Sequence, residues 1–498
     1  MSKKNKIVTI PVSIGYGLTD LMGGGAFTII GAWLLFYYTT FVGMSPVKAA
    51  SIVAIARIVD AIVSLFMGTI TDHFYKTKLG KKFGRRKFFL LIGSPLMLMY
   101  SLLWVTGMSY WFYLICYLLF EIIAAMVLIP WETLPSEMTK KFNERTKLST
   151  ARMFISALGT FLATFIPGRL IAYFGDDNAY AYFLNGLIFA ILFAICVFIS
   201  YKVTWERDLT PAMIEEMEQK AVKKTFGEQV SALGNLFKDY GSTFKIKAFR
   251  KHLVIYLLSF TAKDIFNTVF VFFCVFALNI SSSRAADLLS LSIIGLPVTL
   301  LAGLAIIKFG PSRLYAISYT TMFICILGFY GVYLFDPASK IAILFVLAAV
   351  YQIGRCILEF TPWNVFPFIP DVDEMVTKKR REGLFAAVMT FGRKTTVAIA
   401  TFCVGLVLQE SGFVKGETHQ TALAISTISN TLLIGSGTLL LLALLFALTF
   451  KLNKRTHGIL VTEVERLKNN GSKQDVTPET KAVVENLTGY RYEDVWPS

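Results

Sequence analysis

The feature that most constrains this chain is a row of twelve apolar runs, each long enough to cross a membrane. An α-helix rises about 1.5 Å per residue, so about 20 apolar residues match the roughly 30 Å hydrocarbon core of a bilayer. Such runs occupy residues 14–41, 46–71, 87–108, 110–136, 149–173 and 179–203, then 251–279, 284–307, 312–335, 338–366, 384–410 and 425–451. In lipid, every backbone N–H and C=O must be satisfied within the chain, which leaves helices as the structure that separate runs of this length can adopt. The expected fold class is an all-α membrane protein with 12 transmembrane helices. Composition agrees: 55% of the 498 residues are hydrophobic and 16% charged, against about 25% charged in soluble domains. The Lys-rich start, Met1 to Ile7, leads into a full-length span with no A-x-A-like cleavage site. The first run is therefore expected to be a retained helix and not a signal peptide.

The net charge of +16 raises the question of a nucleic-acid partner. The bases, however, gather in short loops on one side of the runs: Lys3, Lys4 and Lys6, then Lys76 to Lys87, then Lys140, Lys141, Arg145 and Lys147, then Lys378 to Arg381. The other side holds Lys48, Arg284, Lys340 and Lys415 beside the acidic Asp176 and Asp177. This is the positive-inside distribution; it argues against a nucleic-acid role and puts both termini in the cytoplasm. Cys116, Cys196, Cys274, Cys325, Cys356 and Cys403 lie within apolar runs, too far apart for a metal motif. The histidines, His73, His252, His419 and His457, are expected at or beyond run ends. No metal site or catalytic triad is legible, and the chain reads as a mover of a small polar solute, not an enzyme.

Six runs, a polar stretch and six more suggest four parts: an N-terminal six-helix bundle (1–203), a cytoplasmic linker (204–250), a C-terminal six-helix bundle (251–451) and a cytoplasmic tail (452–498). Residues 213–224 read as a charged amphipathic helix on the cytoplasmic surface, and the tail as half helical, docked through Tyr490 and Trp496. A repeat supports the bundles. The fourth run ends in Pro130-Trp131-Glu132-Thr133-Leu134-Pro135 and the tenth in Pro362-Trp363-Asn364-Val365-Phe366-Pro367. Two parallel repeats related by an axis along the membrane normal enclose a solute site near mid-membrane.

Charges inside spans cost from about 2.5 to above 10 kcal/mol at the bilayer centre, so each must be paired, face water, or serve a function. In the second run, Arg57 and Asp60 are three residues apart and share a face, so they are expected either to pair or to leave Asp60 as the site of a coupling cation or proton. In the fourth run, Pro130 frees backbone carbonyls, Trp131 offers a flat face for a sugar ring, and Glu132 accepts hydroxyl hydrogen bonds; Trp363 and Asn364 are their counterparts. Arg355 and Glu359 suit an intrahelical pair. Arg152, Arg393 and Lys394 either make the centre cationic, favouring a carboxylated solute, or pair with Asp20, Asp60, Glu132 and Asp264. Asp20, just before Gly23-Gly24-Gly25, is a gate residue or a substrate acceptor, and the glycines allow close helix approach. Asp72, facing the loop bases Arg85 and Arg86, suits a charge latch that controls conformation.

Taken in order, Tyr16-Gly17-x-x-Asp20, Ala56-Arg57-x-x-Asp60, Gly68-x-x-x-Asp72, Gly84-Arg85-Arg86, Ile129-Pro130, Arg152-x-Phe154 and Lys394 resemble the glycoside–pentoside–hexuronide:cation symporter family, the melibiose permease-like branch of the major facilitator superfamily. The resemblance covers most of residues 14–450. It implies two pseudo-symmetric bundles and alternating-access symport of a sugar with a proton or monovalent cation. Asp60 matches the family's cation-site carboxylate, and Arg152 and Lys394 match bases of its sugar site. Where the family's sodium users carry further ligands, this chain has Ser64, Leu128 and Ala125, which favours H+ over Na+. The start of the third run, Phe88 to Leu91, and Leu487 to Tyr490 in the tail are similar to members that take oligosaccharides from pectin. The expectation is an importer of an acidic sugar or oligouronide in a bacterial inner membrane, acting as a monomer with no cofactor. Its alternatives are a neutral glycoside or pentoside symporter with all interior bases paired, and a lipid or lysolipid transporter.

Overall fold

The computed structural model describes residues 7–139, 141–207, 240–379, 381–417 and 419–496, except the side chains of Leu65, Thr69, Asp72, His73 and Phe142. The surface helix expected at 213–224 lies outside the described residues. All regular structure among the described residues is helical. The twelve runs appear as α1 (Ile10–Thr40), α2 (Pro46–His73), α3 (Lys87–Trp104), α4 (Tyr110–Met138), α5 (Phe142–Phe174), α6 (Ala179–Val203), α7 (Lys247–Ala277), α8 (Ser282–Phe309), α9 (Pro311–Phe335), α10 (Lys340–Thr377), α11 (Glu382–Glu410) and α12 (Ala422–Leu448). Among the described residues, eleven are long and apolar enough to cross a membrane. The twelfth, α2, has the length at 28 residues, and the side chains of Leu65, Thr69, Asp72 and His73 within it lie outside the described residues. Several spans are not regular throughout. α1 is interrupted at Leu18–Thr19 and again by a π-turn at Ile30–Leu34, and α7 and α12 carry π-turns at Phe273–Ala277 and Thr431–Ser436. Such turns insert a residue without losing backbone hydrogen bonds and often mark functional segments.

α1 packs along α5, α2 along α4, and α3 along α6; α7 packs on α12, and α9 on α10 and α12. The expected close approach of the glycine run is real. A Cβ at Gly24 would lie 2.2 Å from the Ser156 carbonyl oxygen, and one at Gly159 would lie 2.8 Å from that of Leu21. The first six helices meet the last six chiefly through α2 with α11, α5 with α8, and α1 with α7.

One end of this interface is shut. Gly416 N–H donates to Thr39 O (3.0 Å), Val47 N–H to Gln409 Oε1 (3.3 Å), and Ser283 N–H to Asp176 (3.2 Å), while Arg169 pairs with Asp287. Phe36 meets Phe272 edge-on at 5.3 Å, and Phe272 and Phe276 both meet Phe413. Edge-to-face pairs of this kind add about 0.5–1.5 kcal/mol each beyond the area they bury. The shut end bears the short, base-poor loops.

The opposite end carries the basic loops and the tail. Helix α13 (Lys454–Lys468) opens with an Asn453 capping box, and α14 (Pro478–Thr488) follows. The tail docks on the end of α10: His457 pairs with Asp371, Lys468 with Glu374, and Trp496 N–H donates to Met375 O at 3.0 Å. Within it, burial pushes the Glu463 carboxyl up, but hydrogen bonds from Arg466 and Tyr492 outweigh this and hold it below the usual carboxylate range. Burial and the neighbouring Glu463 push the Tyr492 phenol up to about 12. His252, expected near a run's edge, sits in the second turn of α7, fully buried against Phe450.

Candidate functional site

A cavity of about 680 Å³ lies at mid-length between the two sets of helices. Its walls come from α1, α2, α4, α5, α7, α10 and α11. Prolines 130 and 362 fall inside α4 and α10, two of the helices that wall it. A proline there removes one helical hydrogen bond and loosens the turn before it.

Arg57 and Asp60 share a face of α2, but they part. Arg57 reaches α4, where its guanidinium is 3.3 Å from Glu121, and it lies over the Phe27 ring of α1 at 4.5 Å. Asp60, 4% exposed, instead crosses to α11: Lys394 Nζ is 2.7 Å from its Oδ2. The Ser64 hydroxyl donates to Asp60 Oδ1 at 3.1 Å and accepts from Lys394 at 2.6 Å. Of the two alternatives for these residues, the Arg57–Asp60 pair is replaced by two pairs, because each side chain finds a closer partner on a neighbouring helix.

Arg152 bridges two carboxylates, donating to Asp20 (3.0 Å) and Glu132 (2.7 Å). Arg393 holds Asp264 through both terminal nitrogens at 2.5 and 2.8 Å. Lys263 and Arg355 share Glu359 at 2.9 and 3.2 Å, so the i,i+4 pair expected on α10 also recruits α7. Six bases of the cavity region therefore meet six carboxylates, and each base has a partner. The cationic centre expected from Arg152, Arg393 and Lys394 is corrected by this balance; the pairing alternative describes the structure.

The two tryptophans also differ from expectation. Trp131 is fully buried and does not line the cavity. It stacks on Tyr16 at 4.9 Å, donates Nε1–H to the Tyr16 carbonyl, and has the Arg152 guanidinium over its ring at 4.7 Å. It braces α4 against α1 and positions Arg152, while Phe391 offers an aromatic side chain to the cavity. Trp363 is 45% exposed against Tyr256, and Asn364 donates back to Phe360 O; neither lines the cavity. Asp20 is buried behind Arg152, and Glu132 lines the wall.

At the basic-loop end, Arg85 and Arg86 both bond Glu137 at 2.8 Å, and the N–H groups of Arg85, Arg86 and Lys87 converge on Glu206. This ties the α2–α3 loop to the ends of α4 and α6 within the first six helices. The Asp72 side chain expected to face these bases lies outside the described residues. Glu121, Glu137 and Glu206 were not singled out in the sequence. Glu121 carried a readable signal, the one carboxylate in the apolar stretch 110–131; the other two sit at helix ends, where acidic residues are ordinary.

Among the described residues no group of three or more His, Cys, Asp or Glu side chains is placed to hold a metal. Ala125 and Leu128 line the cavity, and the Lys394 ammonium occupies the Asp60 carboxylate.

Residues 15–454 match the family described as MFS/sugar transport protein. A glucuronide carrier protein homolog of Escherichia coli is 23% identical over 470 residues, covering 91% of this chain and 95% of its own. An isoprimeverose transporter of Lactiplantibacillus pentosus is 30% identical over 200 residues, 39% of this chain and 41% of its own. Among solved structures, a D-xylose–proton symporter superposes with a TM-score of 0.59 at 16% identity, over 89% of this chain and 98% of its own.

Proposed function

The chain belongs to the MFS/sugar transport protein family, and we propose that it is a proton-coupled sugar symporter working by alternating access, with Asp60 as its coupling carboxylate. It is a multi-pass membrane transporter and not an enzyme. In this reading the basic-loop end faces the cytoplasm, and the structure is the state shut toward the other side.

The observation that carries the reading is the Asp60–Lys394 pair, which joins α2 to α11 across the cavity at 2.7 Å. A proton on Asp60 removes its charge, releases Lys394 and loosens the tie between the halves; loss of the proton restores it. A metal cation would have to displace an ammonium and gather several oxygen ligands, and among the described residues the one side-chain hydroxyl bonded to Asp60 is that of Ser64. Lys394 therefore favours a proton over sodium.

For the solute, the geometry best supports a neutral sugar. Hydroxyls can bridge paired charges without displacing either partner, whereas a carboxylated sugar must break an ion pair to find its counter-ion. The acidic-sugar reading keeps one specific support: Lys263 and Arg355 share the single carboxylate of Glu359, so an anion there would meet two cations. A lipid cargo fits poorly with a cavity lined by nine charged side chains. The deciding experiment is uptake into proteoliposomes, with isoprimeverose competing against a methyl glucuronide. Inhibition by isoprimeverose alone supports the neutral reading. Inhibition by the glucuronide alone supports the acidic one, and no transport of either sugar or of a wider sugar panel would sink the sugar assignment.

A further inference from the structure

Glu121 sits on α4 behind the cavity wall, fully buried and outside the lining. Its carboxylate is 3.3 Å from the Arg57 guanidinium. Neither Glu121 oxygen makes a hydrogen bond, and the Arg57 Nε–H and the Tyr117 hydroxyl are also unsatisfied. The contact is within ion-pair range but lacks hydrogen-bond geometry, which explains how a pair and its orphaned atoms coexist. Buried polar atoms are nearly always hydrogen-bonded. A carboxylate out of water with one long ion pair and no hydrogen bond is poorly compensated, and a proton relieves that state. The titratable and charged groups close enough to act on it are Arg57 and Asp60 from α2, Tyr117 on its own helix and Lys394 from α11. From α1, Phe27 meets Arg57 with an apolar ring.

We infer that Glu121 is a second proton-binding site of the transporter, linked to Asp60 through Arg57. The inference rests on the reading of Asp60 as the coupling carboxylate. A proton from water forms an O–H bond on Glu121, the carboxylate becomes a neutral acid, and Arg57 loses its counter-ion. Arg57 stands one helical turn from Asp60 on the same face. It then competes with Lys394 for Asp60 and weakens the tie between α2 and α11. When the proton leaves Glu121, Arg57 returns and the Asp60–Lys394 pair closes again. Occupancy of a site that no solute touches thereby biases the bond that joins the halves.

The test uses the full-length protein reconstituted in lipid. Infrared difference spectra between about pH 8 and 5 are compared for wild type, D60N, E121Q and the double variant, following the C=O band of protonated carboxyls. Separately, accumulation of isoprimeverose or a methyl glucuronide under a proton gradient is compared with exchange at equal pH. The inference expects E121Q to remove a protonation band distinct from the one lost in D60N. It also expects accumulation to fall at least about tenfold more than exchange, with E121D recovering part of it. An unchanged band pattern or an unchanged pH profile in E121Q overturns it. So does equal loss of accumulation and exchange in a variant of normal thermal stability, which marks a packing role. If wild-type accumulation ignores the proton gradient while the Glu121 band still titrates, the Asp60 coupling reading fails and the proton site stands.

Discussion

Replacing Lys394 and Asp60 together should cost far less than the two single replacements summed. The pair is short, 2.7 Å, with side chains 23% and 6% exposed. At an effective dielectric of about 20, charges at that separation attract by roughly 6 kcal/mol, an upper bound from which desolvation subtracts. Removing one partner of a buried pair typically costs about 3–5 kcal/mol, because the other charge is left uncompensated. K394Q should approach that figure, since Ser64 alone then faces the carboxylate. D60N should cost less, because a stranded lysine can lose its proton. The double variant holds two neutral, mutually hydrogen-bonding groups and should be at least as stable as K394Q, giving a coupling of about 2 kcal/mol or more. The assay is thermal unfolding of the four purified proteins, with the cross-half distance followed by spin labels on α2 and α11. Additivity within about 0.5 kcal/mol would refute the reasoning, as would a double variant worse than either single.

Further outcomes follow from the same structure. Arg152→Lys keeps the charge but loses the fork that spans Asp20 and Glu132, so transport should fall at least about tenfold with little change in thermal stability; unaltered kinetics would show that the bridge is dispensable. Gly24→Leu places side-chain atoms against the Ser156 carbonyl, already 2.2 Å from a Cβ at that position, and should destabilise the α1–α5 contact by about 1–3 kcal/mol or more. Gly331→Ala, with no atom within 4 Å, should be neutral or better in the same melting assay. The tail should undock in acid. The Glu463 carboxyl is held low in the folded state, so its stabilisation is present above the ordinary Glu value of about 4.3 and is lost as pH falls through the lower folded value. Protease cleavage between α13 and α14 should rise only below about pH 4; a rise between about pH 5 and 7 would contradict this.

The twelve spans were legible because the bilayer imposes one length and one composition on every helix. Even α2, with Arg57 and Asp60 at its middle, declared itself through its length and its place in the order. The helix breaks at Leu18–Thr19 and at the three π-turns were not legible, since they arise from packing between helices and leave no local residue signature. At the site, residue types were readable and partners were not. Arg57 and Asp60 share a helical face, which made their pairing reasonable from one helix alone. Which neighbour each prefers depends on how α4 and α11 rotate, and that is a property of the whole bundle. Trp131 shows the same limit: its amphipathic ring suits a sugar equally well as it suits the Tyr16 carbonyl and the Arg152 guanidinium. Glu121 was open to the rule applied to the other buried charges.

The central claim is that Asp60 carries the coupling proton, and the most direct test is solute accumulation in proteoliposomes under imposed ion gradients. Wild type should accumulate sugar when an inward proton gradient is imposed, should ignore an inward sodium gradient at constant pH, and in the D60N variant should lose accumulation while retaining downhill flux. Accumulation driven by sodium alone, or a D60N variant that still concentrates sugar with the wild-type pH dependence, would contradict it.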